Sequence, residues 1–119
     1  MFRLILGSRG ERIAARHLRA QGYRIIKRNF RCPLGEIDLI ACDGATVVFV
    51  EVKTRTGRGF GAPFEAVGTR KQRKMRDVAL YYIKSMRGPM PPARFDIVSI
   101  VTSGWWRSEV QHIKDAFEV

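Results

Sequence analysis

The sequence has few cysteines and few histidines, which excludes several classes of site. Cys32 and Cys42 form no CxxC pair, and two cysteines cannot build the disulfide framework of a small secreted domain. His17 and His112 lie far apart in sequence and not at the spacing of zinc ligands, so zinc is not expected. We therefore expect two reduced thiols, with Cys42 packed at a strand end.

Long hydrophobic runs are also missing. No apolar stretch approaches the ~18 residues of a membrane span. The opening letters MFRLIL are too short for the apolar part of a signal peptide, and no small-residue cleavage site follows them. We expect a cytoplasmic protein that contacts no membrane. The length of 119 residues predicts a single domain over residues 1–119 with a true hydrophobic core.

Acidic residues are half as numerous as basic ones. There are 11 Asp and Glu against 22 Lys and Arg, so the net charge is +11. Such a charge indicates a negatively charged partner, most commonly nucleic acid. The alternatives are a solvated basic surface or a ribosome- or membrane-associated protein. The bases concentrate in residues 3–31 and 53–76, and the acids in residues 36–51 and toward the C-terminus. A basic rim around an acidic centre fits an enzyme that binds phosphates and holds a cation.

Hydrophobic periodicity predicts an α/β domain in the order α-β-β-β-α-β-β, with a mixed central sheet flanked by helices. The expected helices cover residues 8–21 and 69–87, and the expected strands cover residues 23–30, 35–42, 46–53, 94–101 and 110–113. The third strand contains the apolar run VVFV, which is typical of a central strand covered on both faces. The strand at 94–101 follows a helix, so it is a candidate parallel partner for the third strand.

Both predicted helices begin with the pattern of a capping box. Ser8 with Glu11 forms one such pair, and Thr69 with Gln72 forms the other. Glu11 also lies on the apolar stripe of its helix, which should face the core. Two interpretations of Glu11 stay open: it caps the helix, or it points to a site beneath it.

Three carboxylates and a lysine lie inside the second and third strands, where burial makes charge costly. Glu36 and Asp38 share one face of the second strand, and Glu51 and Lys53 share one face of the third. A two-residue turn at residues 43–44 would place Glu36 opposite Glu51, with Asp38 diagonal to Glu51. A loop two residues longer would place Asp38 directly opposite Glu51 on the same face.

This carboxylate pair has the chemistry of a magnesium site. Like charges this close destabilise a fold, and a divalent cation with oxygen ligands relieves the conflict. Magnesium (or manganese) held by Asp38 and Glu51 would retain waters and bind a substrate phosphate. Lys53 would position or deprotonate a water and stabilise charge on the phosphate. Glu36 is a possible additional ligand. The alternative is a Glu51–Lys53 ion pair on an exposed edge strand.

Basic residues next to this hairpin predict a grip on phosphates. Residues 54–62 form a glycine-rich loop that is either a plain connector or a substrate-binding loop. The start of the second helix is strongly basic, which opposes the helix dipole unless an anion binds there. The candidate nucleic-acid-binding residues are Arg55, Arg58, Arg70, Lys71 and Lys74.

Asp38 followed at a distance by Glu51-Val52-Lys53 resembles the PD-(D/E)xK signature of restriction-endonuclease-like nucleases. The whole chain resembles the YraN family. The matching pieces are GERIAARHL at 10–18, GEIDLIA at 35–41, VVFVEVKTR at 47–55, FGAPFEAV at 60–67, RFDIV at 94–98 and HIKDAF at 112–117. Ile37 departs from the signature, which has proline at that position.

The resemblance implies a restriction-endonuclease-like fold and a relationship to archaeal Holliday-junction resolvases. Those enzymes use a helix glutamate, an aspartate, a glutamate and a lysine, and by resemblance these roles fall on Glu11, Asp38, Glu51 and Lys53. Glu11 would then join Asp38 and Glu51 as a metal ligand. The implied function is a magnesium-dependent DNA endonuclease acting on structured or branched DNA in recombination or repair, with a possible homodimer and a possible recombination-protein partner.

Two alternatives come from other classes of protein. One is a nucleic-acid-binding module that has the nuclease fold without catalysis. The other is an interaction protein that docks on a recombination or ribosomal partner. The intact set of Asp38, Glu51 and Lys53 favours the enzyme.

Overall fold

The structure is a computed structural model that describes residues 2–56, 67–103 and 107–118, with side chains for residues 9–55, 67–103 and 107–118. The elements are α1 (Phe2–Ala20), β1 (Arg24–Cys32), β2 (Gly35–Asp43), β3 (Thr46–Thr56), α2 (Thr69–Lys84), β4 (Ala93–Ser103) and β5 (Arg107–Phe117). This order confirms the predicted α-β-β-β-α-β-β arrangement.

The five strands form one mixed sheet in the order β1-β2-β3-β4-β5. β3 and β4 pair in parallel, and the other neighbours are antiparallel. The prediction of a parallel partner for the third strand is therefore confirmed. β3 lies at the centre of the sheet because its run of residues 47–50 is apolar on both faces and is almost fully buried.

In the described part of the chain, each face of the sheet is covered by one helix. Side chains alternate along β3, so that Val48 and Val50 pack with α1 while Val47 and Phe49 pack with α2. The α1 stripe is Ala14, Ala15 and Leu18, and the α2 residues in the second cluster are Val78, Ala79 and Ile83. Two helices and a sheet thus give a three-layer arrangement with a hydrophobic core on each side.

The predicted start of the first helix is wrong, whereas α2 begins at Thr69 as predicted. α1 begins at Phe2, because no proline or glycine interrupts residues 2–6, so Ser8 lies inside the helix and does not cap it. Gly68 is the N-cap of α2 and no side chain caps it. The Gln72 side-chain amide instead donates to the carbonyl oxygen of Val67 at 2.8 Å. Neither capping box forms, which removes the capping interpretation of Glu11.

Several other boundaries also differ from the prediction. α2 ends at Lys84, three residues early, with Ser85 as its C-cap. β3 continues to Thr56, so the start of the predicted glycine-rich loop is strand. Residues 57–66, which contain the rest of that loop, lie outside the described residues. β5 has 11 residues where four were predicted, because an edge strand needs no apolar alternation to pair with β4.

A buried aspartate joins β4 and β5 to the segment after α1. Asp96 is completely buried. One of its oxygens accepts hydrogen bonds from Arg94 Nε and from the backbone N–H of Asp115, both at 3.0 Å. The other lies 2.8 Å from His112 Nε2 and accepts from the Tyr23 hydroxyl at 3.2 Å. The buried charge is thereby fully partnered, as burial requires.

Candidate active site

The β2–β3 turn decides which carboxylates face each other. Asp43 pairs with Thr46, so the two-residue loop consists of Gly44 and Ala45. Gly44 has a φ of +60°, which favours glycine. The turn predicted at residues 43–44 is thus displaced by one position. The strands adopt the register of the longer loop, and the tightest predicted register is wrong.

The described pairing of β2 with β3 ends at Leu39 and Val50. Asp38 and Glu51 are the next residues in the same register, so they come directly after the last backbone pair. The Val52 backbone N–H, which no longer bonds to a backbone carbonyl across this pair of strands, donates to Asp38 Oδ2 at 2.8 Å. This bond holds the aspartate carboxylate against β3 at the point where the pairing of the strands ends.

The alternation of side chains along β2 is broken at Asp38. Ile37 belongs to the hydrophobic cluster on the α2 side, whereas Leu39 belongs to the cluster on the α1 side. Residues two apart in a regular strand face the same side. On β1, Asn29 lies at the matching position and has a φ of +51°. Both strands are therefore irregular here, which brings Asp38 within reach of side chains from both helices.

Lys71 of α2 contributes a positive charge to the carboxylate pair. Its Nζ lies 3.5 Å from Glu51 Oε1. Lys53 follows Glu51 by two residues on the same strand, and its charge also acts on the Glu51 carboxylate. Lys53 borders a cavity of about 340 Å³ together with Thr54, Arg55 and Ser99. The structure thus places two lysines beside Glu51, one from β3 and one from α2.

The other two predicted carboxylates lie at the margin of the site. Glu11 Oε2 accepts a hydrogen bond from Asn29 Nδ2 at 2.8 Å, and its negative charge reaches Asp38. Glu36 forms an exposed ion pair with Arg31, with Nε and Oε2 3.2 Å apart. The charge of Glu36 also reaches Asp38, but more weakly than that of Glu11.

Burial and mutual repulsion change the acidity of the central pair. Burial raises the pKa of Asp38, while the hydrogen bond from Val52 opposes this and the Glu11 charge adds to it. Burial, followed by the Asp38 charge, raises the pKa of Glu51 to about 7, although Lys71 and Lys53 oppose the rise. Neighbouring carboxylates whose pKa values are both raised are typical of functional sites.

The donor set fits magnesium or manganese. Asp38 and Glu51 offer carboxylate oxygens in a partly buried place, and a bound cation would offset the burial and repulsion that raise their pKa values. Magnesium commonly takes one or two carboxylates and keeps several waters or phosphate oxygens. Within the described ranges, no group of three or more His, Cys, Asp or Glu side chains is arranged to hold a metal. Asp38 and Glu51 are the candidate donors, and their role as ligands, like that of Glu11, stays a prediction.

Comparison with known proteins places this chain in a family. A model described as "Uncharacterised protein family UPF0102" matches residues 10–100, which include all four predicted catalytic residues. The chain belongs to the UPF0102 family. This is the YraN family, so the predicted family resemblance is confirmed.

The relatives extend over nearly the whole chain. A UPF0102 protein of Symbiobacterium thermophilum is 48% identical over 94% of this chain and 95% of its own length. One from Geobacter metallireducens is 47% identical over 96% of this chain and 93% of its own length. One from Nocardia farcinica is 47% identical over 94% of this chain and 88% of its own length.

In this UPF0102 protein, the described candidates for phosphate binding lie on β3, which carries Glu51, and on α2, which carries its ion-pair partner Lys71. Arg55 is on β3, four residues beyond Glu51, and Arg70 and Lys74 are exposed on the first turns of α2. Lys71 and Lys74 border a cleft of about 620 Å³. Its remaining lining is Arg31, Cys32, Pro33, Leu34, Gly35, Glu36 and Met75. Arg58 lies outside the described residues.

Two contacts in the candidate site are not predicted by the sequence analysis. Lys71 was assigned to phosphate binding alone, yet it is ion-paired with Glu51. The concentration of bases at the start of α2, close to an acidic strand, is the signal that could have suggested this pair. Asn29 holds Glu11, and no sequence pattern points to that contact.

No helix in the described part of this UPF0102 chain is long and apolar enough to span a membrane.

Proposed function

We propose that this protein is a metal-dependent endonuclease that hydrolyses phosphodiester bonds in DNA in the cytoplasm. The observation that carries the proposal is the proximity of Asp38 and Glu51, which directly follow the last described backbone pair of β2 and β3 and whose charges repel each other. Both carboxylates are largely buried and have raised pKa values. Lys53 lies two residues from Glu51, and Lys71 forms an ion pair with Glu51.

Each central residue has a distinct role in this proposal. Asp38 and Glu51 hold magnesium, which when bound supplies Lewis-acid stabilisation of the phosphate and a more acidic water. Lys53 orients the attacking water and stabilises negative charge that develops on the phosphate oxygens. The Val52 N–H keeps Asp38 in place. Glu11, positioned by Asn29, extends the negative field that attracts the cation and completes the site.

The basic surface supplies binding to the DNA backbone. A net charge of +11 favours polyanions over neutral or acidic partners. Lys74, Arg70 and Arg55 lie on elements that flank the carboxylate pair, so they would contact phosphates next to the one that is cut. By resemblance to Holliday-junction resolvases, the preferred substrate is branched or structured DNA in recombination or repair. Paired cuts in such a junction need two active sites, which a homodimer would provide.

Cleavage of defined DNA substrates tests this function. Linear, flapped and four-way DNA are incubated with the wild-type protein in Mg²⁺ and, separately, in EDTA. We expect cutting in Mg²⁺ only, with the four-way DNA cut fastest. Glu51→Gln, Asp38→Asn and Lys53→Met should each lower the rate by at least about 100-fold, because each removes a separate part of the transition-state stabilisation.

Binding measured beside cleavage separates the enzyme from the non-catalytic alternatives. Glu51→Gln keeps the shape of the side chain and should bind four-way DNA at least as tightly as the wild type. A wild-type protein that binds DNA but never cuts it in Mg²⁺ or Mn²⁺ would support the silent binding module. A wild-type protein that neither binds nor cuts DNA would support a role in docking on another protein.

A further inference from the structure

Lys71 stands between two parts of the proposed site. Its ammonium group is ion-paired with Glu51 at 3.5 Å, while its side chain is 47% exposed and borders the 620 Å³ cleft. Glu51, by contrast, is only 12% exposed. The lysine therefore reaches a nearly buried carboxylate from an open cleft that also contains Lys74 and Arg31.

The charge of Lys71 acts on both central carboxylates. It lowers the pKa of Glu51 by charge and by a hydrogen bond, and its charge lowers the pKa of Asp38. The ammonium group thus provides the positive charge that a divalent cation would otherwise provide. Two cations that share one carboxylate repel each other, and the repulsion is strong where water is largely excluded. Lys71 and a divalent cation are therefore competitors for Glu51.

The Lys71 side chain could also contact an anion in the cleft. It is a flexible four-carbon chain with a compact ammonium group. The cleft beside it is also bordered by Lys74 and by Arg31, which is ion-paired with Glu36. A DNA phosphate entering this cleft would be close to both Lys71 and Lys74. The ion pair with Glu51 withholds one of these two positive charges from the cleft.

We propose that Lys71 couples metal binding to DNA binding by moving from Glu51 to a backbone phosphate in the cleft when a divalent cation occupies the carboxylate pair. This inference rests on the proposed nuclease function. Without metal, Lys71 neutralises Glu51 and the cleft binds DNA weakly. With metal, the released ammonium group contacts the phosphate. Coupling between two ligands is reciprocal, so DNA in the cleft also favours the metal.

Calorimetric titration with Ca²⁺ alone tests the competition. It is run at about pH 8.5, so that Glu51 is ionised. Lys71→Met removes the competing charge and should bind Ca²⁺ about threefold or more tightly than the wild type. Lys84→Met makes the same chemical change near the other end of α2, ~20 Å along the helix, and should leave the Ca²⁺ affinity within about twofold, since the field of a distant exposed charge is screened. Equal or weaker Ca²⁺ binding by Lys71→Met would overturn the proposal.

DNA affinity with and without Ca²⁺ tests the coupling itself. For the wild type, Ca²⁺ should tighten binding of fluorescent four-way DNA by at least about fivefold, the lower end of typical allosteric coupling. In Lys71→Met the gain should be clearly smaller, because only the direct attraction between the cation and the phosphate remains. Lys84→Met should keep the wild-type gain. An undiminished gain in Lys71→Met would overturn the proposal.

The two proposals fail in different ways. If the wild-type protein binds neither Ca²⁺ nor DNA, the nuclease function fails and the inference falls with it. If the wild type binds both, but Lys71→Met behaves like Lys84→Met, the function stands and Lys71 is only one of several surface bases.

Discussion

At the residue scale, the pKa of Glu51 is set by opposing effects of burial and neighbouring charges. Its carboxylate is nearly buried and faces the negative charge of Asp38, yet two lysines draw it toward ionisation. The net result is a pKa of about 7, so the residue gains its charge near neutral pH. A proton and a divalent cation then compete for the same oxygens, which links pH to metal binding.

The raised pKa of Glu51 gives a signed prediction for stability. The protonated folded form is favoured, so the stabilisation is fully present below about pH 4.5 and is lost as pH rises through about 7. In EDTA at about pH 8, Glu51→Gln should therefore equal or exceed the wild type in free energy of unfolding, by up to roughly 3 kcal/mol. At about pH 4.5 the difference should vanish. Urea titrations at the two pH values measure this.

The same titration predicts how the metal should act. Mn²⁺ should raise the melting temperature of the wild type more at about pH 8 than at about pH 6. In Glu51→Gln that pH dependence should be greatly reduced. A wild-type protein whose Mn²⁺ stabilisation is equal at both pH values would contradict the role of Glu51 as the ionising ligand.

The central residues of the candidate site stand out in the sequence, and their partners do not. Asp38, Glu51 and Lys53 stand out because these charged side chains interrupt strands whose other residues are mostly apolar and buried. Lys71 lies 20 residues beyond Glu51, and only the packing of α2 on the sheet brings the two together. Asn29 is an ordinary polar residue in a basic strand, and its irregular backbone has no signature in sequence.

At the element scale, a close contact between α1 and β3 fixes the helix that carries Glu11. Gly10 is buried, and a Cβ atom at this position would lie 2.3 Å from Thr54 Cγ2. The absence of a side chain therefore lets the helix approach the strand immediately beyond Glu51 and Lys53. The sequence predicted a helix here and placed Glu11 on its inner face, but it gave no reason for the glycine.

A double-mutant cycle tests this contact. Gly10→Ala alone should destabilise the protein by about 1 kcal/mol, because the cost of overpacking exceeds the helix propensity that alanine adds. In a Thr54→Ala background the same change should be neutral or stabilising by up to about 1 kcal/mol. Thermal or urea unfolding of the four proteins provides the measurement. Equal effects of Gly10→Ala in both backgrounds would show that the contact does not limit the approach of the helix.

The sequence predicts the central position of β3 correctly, but it does not predict the exact position of the β2–β3 turn. The Val-Val-Phe-Val run identified β3 as central because only a doubly covered strand is apolar on both faces. The turn was misplaced by one position, because Gly44 can serve as either residue of a two-residue loop. That single step decides whether Glu36 or Asp38 faces Glu51, so a small error in a turn becomes a large change in a site.

At the scale of the whole molecule, the fold gives its carboxylates two different electrostatic environments. Asp96 is buried with four hydrogen-bonding partners, and its pKa is lowered because bonds from His112, Arg94 and the Asp115 backbone outweigh its burial. Asp38 and Glu51 have raised pKa values instead. The protein's own hydrogen bonds stabilise the charge of Asp96, whereas the charges of Asp38 and Glu51 are disfavoured by burial despite the nearby lysines.

The overall charge and topology were both predictable from sequence, but the network around Asp96 was not. The alternation of apolar and polar residues predicts strands, and the helix between β3 and β4 predicts their parallel pairing. Tyr23, Arg94 and His112 come from distant parts of the chain, and their meeting at Asp96 depends on the completed sheet. Side-chain contacts of such long range are a property of the folded molecule.

The central claim is that Asp38 and Glu51 together bind a divalent cation, and calorimetric titration of the whole protein with Mn²⁺ tests it most directly. At about pH 8, where the carboxylates are ionised, the wild type should give a saturable binding heat. That heat should be lost, or weakened at least about tenfold in affinity, in Asp38→Asn, because one of two anionic ligands is removed. A wild type without any binding heat, or an Asp38→Asn variant that binds Mn²⁺ as tightly as the wild type, would contradict the account.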